Sequence, residues 1–272
     1  MSTPPVIWTI AGFDPGSGAG VTADIKTISA LGCYGVSCIT ALTVQNTLGV
    51  LRIEAVAAGT VRDTLQVLLD DFNPSAIKIG ILANAEIVGV VANFLESLGR
   101  TRCPIVLDPI LRASSGAELL DAEGVRALRS RLLPMAAVVT PNRAEAAILA
   151  GVSDADSEGL AQALRRLGAE AVVVTGGDAS EDEDGECSSD VLAYSLQSLE
   201  CVETLSAPRI RSAATHGTGC AFSTAIACGL ARGQSVPMAV TSAKAFVGRA
   251  IERAPGIGRG KGPMGLESAG DG

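Results

Sequence analysis

Ile77-Lys78-Ile79-Gly80-Ile81-Leu82 is a short apolar run that stops before Asn84, and Ile87, Val88, Val91, Leu95 and Leu98 then recur at helical spacing up to Gly99. The run reads as a strand, Asn84 as the cap of a helix and Gly99 as its stop. The same strand-then-helix pattern repeats downstream. Strands are expected at Pro104 to Leu111, Ala137 to Thr140 and Ala171 to Thr175. Helices are expected after Asp121 (Val125, Leu128, Leu132), over Arg143 to Ala150 and over Glu158 to Leu167. Upstream, Val6 to Ile10 predicts a first strand and Val21 to Leu31 a helix; Thr60 then caps a helix carrying Val61, Leu65, Leu68, Leu69 and Phe72. Alternation with short connections means βαβ units, hence an α/β fold with a doubly wound, mostly parallel sheet. Gly35 to Val44 and Leu48 to Val56, joined by Gln45-Asn46-Thr47, predict a small hairpin projecting from that sheet. Strands at Val191 to Leu196 and Val202 to Ile210 lead to a later glycine-rich turn, and a last helix runs from Ser235 to near Arg253. No repeat or boundary divides the chain, so a single domain over 1–272 is expected, with 263–272 as a frayed tail.

The totals agree with such a fold. The chain has 272 residues, 47% hydrophobic and only 3% aromatic, which suits a buried parallel sheet between helices. A net charge of -8 argues against nucleic acid as a partner, because phosphate backbones demand concentrated Lys and Arg. The seven cysteines form no CxxC pair, and His216 is the sole histidine, so neither a disulfide framework nor a His-rich metal site is expected. No basic leader or membrane-length apolar stretch is found, which predicts a soluble cytoplasmic protein. The stretch 178–190 holds seven acidic residues without EF-hand spacing and reads as a solvated loop.

Polar or small residues gather where the strands end: Asp14, Asp108, Asn142 and Gly176. In an open α/β sheet that row marks the ligand cleft. Gly12 to Gly20 is a glycine-rich loop after the first strand, but its spacing fits neither GxGxxG nor a Walker motif. His216-Gly217-Thr218-Gly219-Cys220, just before an apolar helix, can turn tightly and aim several N–H groups at one point, where a helix N-terminus favours an anion. Cys220 stands at the edge of that cradle, its pKa expected to fall under the helix dipole, so that it could take a proton from a hydroxyl. An anion site beside a base suits phosphoryl transfer to an alcohol. The same residues would also suit a turn that merely opens a buried helix around a small thiol.

Several motifs together resemble the ribokinase-like vitamin kinases, and within them the hydroxymethylpyrimidine/phosphomethylpyrimidine kinases of thiamine biosynthesis. They are Ala11-Gly12-Phe13-Asp14-Pro15 to Gly20, Ala23-Asp24-Ile25-Lys26-Thr27, Ile39 to Leu42 with Gln45-Asn46-Thr47, Ile77 to Gly80, Leu107-Asp108-Pro109-Ile110, Ser114-Ser115-Gly116, Thr140-Pro141-Asn142 with Glu145, and His216 to Cys220. The resemblance covers nearly the whole chain. It implies a three-layer α/β/α kinase that phosphorylates a hydroxymethylpyrimidine and its monophosphate with ATP and Mg²⁺; the projecting Gly35 to Val56 hairpin is in turn expected to close over the substrate or to contribute to a homodimer by pairing its exposed edge. Gly12, Asp24, Gln45 and Ile110 would hold the pyrimidine. Asn142, Glu145, Thr175 and Gly177 would hold ATP, with Glu145 and Asp108 at the metal. Gly217, Thr218 and Gly219 would cradle the phosphoryl group, and Cys220 would be the base. Pyridoxal kinases of the same fold use a similar hydroxymethyl heteroaromatic, and a vitamin-binding protein with weak turnover is a further alternative.

The chain departs from the family pattern at Thr175-Gly176-Gly177-Asp178, where the resemblance implies a lysine in place of Thr175. A threonine hydroxyl bonds phosphate without neutralising it. Thr175→Lys is therefore expected to lower the KM for ATP in steady-state kinetics, and an unchanged or raised KM would overturn this reading.

Overall fold

The computed structural model describes residues 3–99, 103–113, 116–176 and 186–267. One nine-stranded sheet runs through it in the order β3-β2-β1-β4-β5-β6-β7-β8-β9. The strands are β1 (Val6–Phe13), β2 (Tyr34–Asn46), β3 (Gly49–Ala55), β4 (Ala76–Ile79), β5 (Ile105–Leu107), β6 (Val138–Val139), β7 (Val172–Val174), β8 (Cys187–Leu196) and β9 (Leu199–Pro208). From β2 across to β7 neighbouring strands are parallel, while β3 at one edge and the β8–β9 pair at the other are antiparallel. The central parallel strands β4 to β7 are short and buried on both faces, which explains their almost wholly apolar content, with Lys78 on β4 the exception.

Helices cover both faces. They are α1 (Gly20–Ala30), α2 (Ala58–Asp71), α3 (Ala85–Leu98), α4 (Ala122–Ala127), α5 (Arg143–Ala150), α6 (Ser157–Arg166), α7 (Thr218–Ala231) and α8 (Val236–Glu252). One core layer gathers Trp8, Ile10, Leu65, Ile79, Val91, Leu107 and Leu164 under α2 to α6. The other gathers Ile7, Ile28, Val106, Val173, Phe222, Ile226 and Phe246 under α1, α7 and α8. Alternate residues of β1 thus enter opposite layers, as the period of a strand requires, and the three-layer α/β/α expectation holds.

Asn84 caps α3 by accepting from Ile87 N at 3.0 Å, and Asp121 caps α4 through Gly124 N at 2.6 Å, both as the residue types predict. Other expectations need correction. The second helix starts at Ala58, before Thr60, and its N-cap Ala57 supplies no side-chain bond. The helix after Asp121 does not stay α-helical: Leu128–Leu132 widens into a π turn and Leu133–Met135 tightens to 3-10 geometry around Pro134. Residues 263–267 do not fray. Met264 and Leu266 are buried in the α7–α8 layer, and Gly265 N donates to Ala250 O at 2.9 Å; 268–272 lie outside the described residues. The acidic stretch is not solvated throughout, since Asp190 enters β8 and is buried, while 178–185 lie outside the described residues.

Leu65 is fully buried on α2. Leu65→Ala removes its methyl groups from a close-packed layer and should destabilise the fold by about 2–5 kcal/mol in urea unfolding; a loss below about 1 kcal/mol would mean that α2 can collapse onto the sheet.

Candidate active site

The carboxyl ends of β1, β5, β6 and β7 open into a cavity of about 800 Å³. Of the residues expected to form a site, Gly12, Gln45, Asp108, Ile110, Asn142, Glu145, Thr175, Gly217, Thr218, Gly219 and Cys220 all line it. The tip of the β2–β3 hairpin, Asn46 to Val50, forms part of its rim. Gly177, Ser114 and Ser115 lie outside the described residues.

Asp14 holds the cavity's glycine-rich floor together. Its Oδ1 accepts from Gly16 N at 2.7 Å and its Oδ2 from Gly18 N at 3.1 Å and Ala19 N at 2.8 Å. Across the cavity, His216 Nε2 meets the same Oδ2 at 2.8 Å, joining residues 202 positions apart. The Gln45 amide also bonds Asp14, so the hairpin is drawn into the same cluster. Burial alone would push the Asp14 carboxyl up, but the bonds from His216, Gln45 and Gly16 N hold it down at about 2. Gly217 sits at φ +80°, and a Cβ there would run into the carbonyl oxygen of Gly18. Only glycine lets the two loops approach so closely. With Gly217 as N-cap and no capping side chain, the first-turn N–H groups of α7 are left to face the cavity.

Below this cradle is a set of buried charges that sequence reasoning did not assemble. Asp24 was expected at the pyrimidine, yet it does not line the cavity and is fully buried. It accepts from Lys78 Nζ at 2.9 and 3.1 Å, from Thr9 Oγ1 at 2.5 Å and from Thr224 Oγ1 at 2.7 Å. Its place on α1, paired with a lysine on β4, keeps it out of the cavity lining. Burial tends to lower the Lys78 amine, but the charge and hydrogen bonds of Asp24, with the charge of Asp108, outweigh it and hold it protonated.

Cys220 corrects a second expectation. Its thiol is not lowered by the helix terminus; burial is the largest influence and pushes it up to about 12, with Asp108 and Asp24 adding to the rise against Lys78 and the Gly20 N–H. Its neighbour Asp108 is also raised by burial, to about 6, while Lys78, Ser223 Oγ at 3.2 Å and the Cys220 thiol stabilise the carboxylate. The resting site is therefore a protonated thiol bonded to a carboxylate.

At the far end, Asn142 and Glu145 form a reciprocal capping box on α5. Asn142 Oδ1 accepts from Glu145 N at 2.9 Å, and Glu145 Oε2 from Asn142 N at 3.0 Å. Glu145 Oε1 also accepts from Leu111 N at 3.3 Å, so it pins the loop after β5. Thr140 lines the cavity, and its Oγ1 is buried without a hydrogen-bond partner among the described residues. Lys244 of α8 was not foreseen. Its Nζ donates to Asp190 at 2.6 Å, and Asp190 in turn accepts from Gly176 N at 3.0 Å, placing a cation at the Thr175 end of the cavity.

A ribokinase-like α/β/α sheet with a helix N-terminus aimed into the cleft at its strand ends defines a small-molecule phosphotransferase. The chain belongs to the phosphomethylpyrimidine kinase family, whose model matches residues 14–265. It is 41% identical over 266 residues to the hydroxymethylpyrimidine/phosphomethylpyrimidine kinase of Haemophilus influenzae, covering 97% of each chain. It is 42% identical to the protein of that name from Rhizobium meliloti, covering 94% of each. Among solved structures it resembles Staphylococcus aureus pyridoxal kinase in complex with AMP-PCP and pyridoxal, with TM-score 0.84, 29% identity and coverage of 98% of this chain and 95% of that one. It also resembles Clostridium difficile phosphomethylpyrimidine kinase, with TM-score 0.76, 32% identity and coverage of 91% and 99%.

Because Asp14 is held at about 2 against 3.8 in an unfolded chain, its bonds stabilise the fold fully above pH 3.8 and lose that effect as pH falls through 2. The gap in urea midpoint between wild type and Asp14→Asn should be constant from pH 7 to 5 and narrow below pH 4. A gap unchanged down to pH 3 would overturn this account.

Proposed function

We propose that this chain is an ATP- and Mg²⁺-dependent kinase of 4-amino-5-hydroxymethyl-2-methylpyrimidine and of its monophosphate, in thiamine biosynthesis. The observation that carries the reading is the α7 cradle, with Cys220 and Asp108 bonded together immediately below it. The pyrimidine lies between Gly12, Ile110 and Gln45, whose amide offers both a donor and an acceptor to an aminopyrimidine edge. The ATP phosphates reach from Thr175 and Asn142 to the cradle, where the N–H groups at Gly217, Thr218 and Gly219 receive the transferring phosphoryl. Lys244 stands at the Thr175 end of the cavity, with its charge shared with Asp190.

Mg²⁺ would be held by Asp108 and Glu145, largely through water, since both Glu145 oxygens already accept backbone N–H groups. When bound, it neutralises charge on the phosphates. Among the described residues no group of three His, Cys, Asp or Glu forms a closed metal site, which is compatible with an ion that keeps most of its waters.

Cys220 takes the proton of the attacking hydroxyl. For that it must first lose its own resting proton, which burial holds on the sulfur and which the Lys78 charge beneath it helps to release. Lys78 stays protonated beneath both and balances the charge.

The unit is one kinase domain over 1–272. Leu42, Val44 and Leu51 are exposed along the β2–β3 edge, which supports a homodimer through that hairpin. All seven cysteines are free, in keeping with the cytoplasm, and among the described residues no helix is long and apolar enough to cross a membrane.

Incubating the protein with MgATP and, separately, hydroxymethylpyrimidine, its monophosphate and pyridoxal, with products resolved by chromatography, tests the reading. Pyrimidine mono- and diphosphates should form, and Cys220→Ala should lower kcat by about 10²–10⁴-fold. Product from pyridoxal alone would transfer the site to that substrate, and full activity in Cys220→Ala would remove the thiol as base.

A further inference from the structure

Between α8 and the buried Met264, the glycine-rich segment 256–262 forms a strap along one side of the cavity. It is clasped at two points. Thr47, at the tip of the β2–β3 hairpin, accepts through Oγ1 from Arg259 N and Gly260 N, each at 3.2 Å. A Cβ on Gly260 would stand 2.1 Å from the Thr47 carbonyl oxygen, so only glycine lets the strap lie this close to the hairpin. Further on, Gly262 N donates to Ala213 O at 2.9 Å, and Gly262 O accepts from His216 N at 3.2 Å, next to Gly217 of the cradle. Lys261 lies between the two clasps, exposed, and lines the cavity. Other cations of that lining are already engaged: Arg112 is paired with Glu118 at 3.5 Å, Lys244 with Asp190 at 2.6 Å, and Arg209 also has a partner within the protein. The Lys261 ammonium has no ion pair or hydrogen bond among the described residues.

We propose that Lys261 binds the phosphate of the monophosphate acceptor and so sets the preference between free and phosphorylated pyrimidine; this rests on the kinase function proposed for the same cavity. Its position points to the acceptor rather than to the nucleotide. The strap is tied to Thr47, two residues beyond Gln45, whereas Asn142 and Thr175 follow β6 and β7 on the other side of the sheet. The bond from Gly262 to His216 at the same time holds the strap beside the cradle that receives the transferring phosphoryl. In the second phosphorylation, an acceptor phosphate oxygen forms the new P–O bond to the γ-phosphorus of ATP. The bond from that phosphorus to the bridging oxygen of the β-phosphate breaks, and ADP departs with the electron pair. The nucleophile is already an anion, so two polyanions have to be held in contact, and fixed positive charge offsets their repulsion. A free hydroxymethyl acceptor carries no such charge and gains little from an ammonium at this point.

The test compares steady-state kinetics of wild type, Lys261→Ala and Lys261→Arg, with MgATP and either hydroxymethylpyrimidine or its monophosphate as acceptor. Lys261→Ala should raise the KM for the monophosphate about tenfold more than the KM for the free pyrimidine, since a charge-assisted bond is lost with one acceptor only. Lys261→Arg, which keeps the charge, should restore most of that difference. An equal effect on both acceptors, or no effect on either, would overturn the inference and leave the kinase standing. So would a raised KM for ATP whichever acceptor is present, which would assign the lysine to the nucleotide. Wild type that leaves the monophosphate unphosphorylated would overturn the second step of the proposed function, and this inference with it.

Discussion

Lys78 and Asp24 share an ion pair with no exposure to water, and the centre of the molecule is arranged around it. One partner stands on β4 and the other on α1, while the hydroxyls of Thr9 on β1 and Thr224 on α7 complete the carboxylate's bonding. Two charges taken out of water cost several kcal/mol each, and only a fully bonded geometry offsets that. The pair therefore fixes β1, β4, α1 and α7 in one relative placement. That placement sets Cys220, on α7, beside Asp108 at the end of β5, with the Lys78 charge acting on both.

The division between what could be read from the sequence and what could not follows the range of the physics involved. Strands such as Ile77 to Ile79 and caps such as Asn84 and Asp121 are local, and periodicity exposed them. The β8–β9 turn is less evident, because Gln197 and Ser198 adopt positive φ without the Asn-Gly pattern that usually signals such a hairpin. Asp24 looks like an ordinary helix charge until Lys78 is seen opposite it, 54 positions away. The Cys220 thiol was misjudged for a related reason: a helix terminus is visible in sequence, but the burial that dominates it is tertiary. Lys244 carried a weak signal, a cation set among the small and apolar residues of α8, yet its partner Asp190 lies in a segment whose composition suggests solvent.

The site residues that were legible share one property: glycine and small polar side chains at strand ends have few structural reasons to be there. Gly12, Gly217, Asn142 and Thr175 each close a strand or open a helix, and each lines the cavity. The functions that need a particular neighbour were the ones hidden. Glu145 shows both sides, since its capping box is local, whereas its hold on Leu111 links two strand ends that only the sheet order brings together.

The bond between Asp14 and His216 has a consequence for biosynthesis. The first loop leaves the ribosome early, but the histidine that completes its bonding follows 202 residues later, and α7 must pack before Gly18 and Gly217 can meet. A nascent chain ending after β7 carries the parallel strands without the wall that closes their cleft. Binding competence is thus gained late in translation, and an incomplete chain cannot hold back the vitamin precursor it would otherwise sequester.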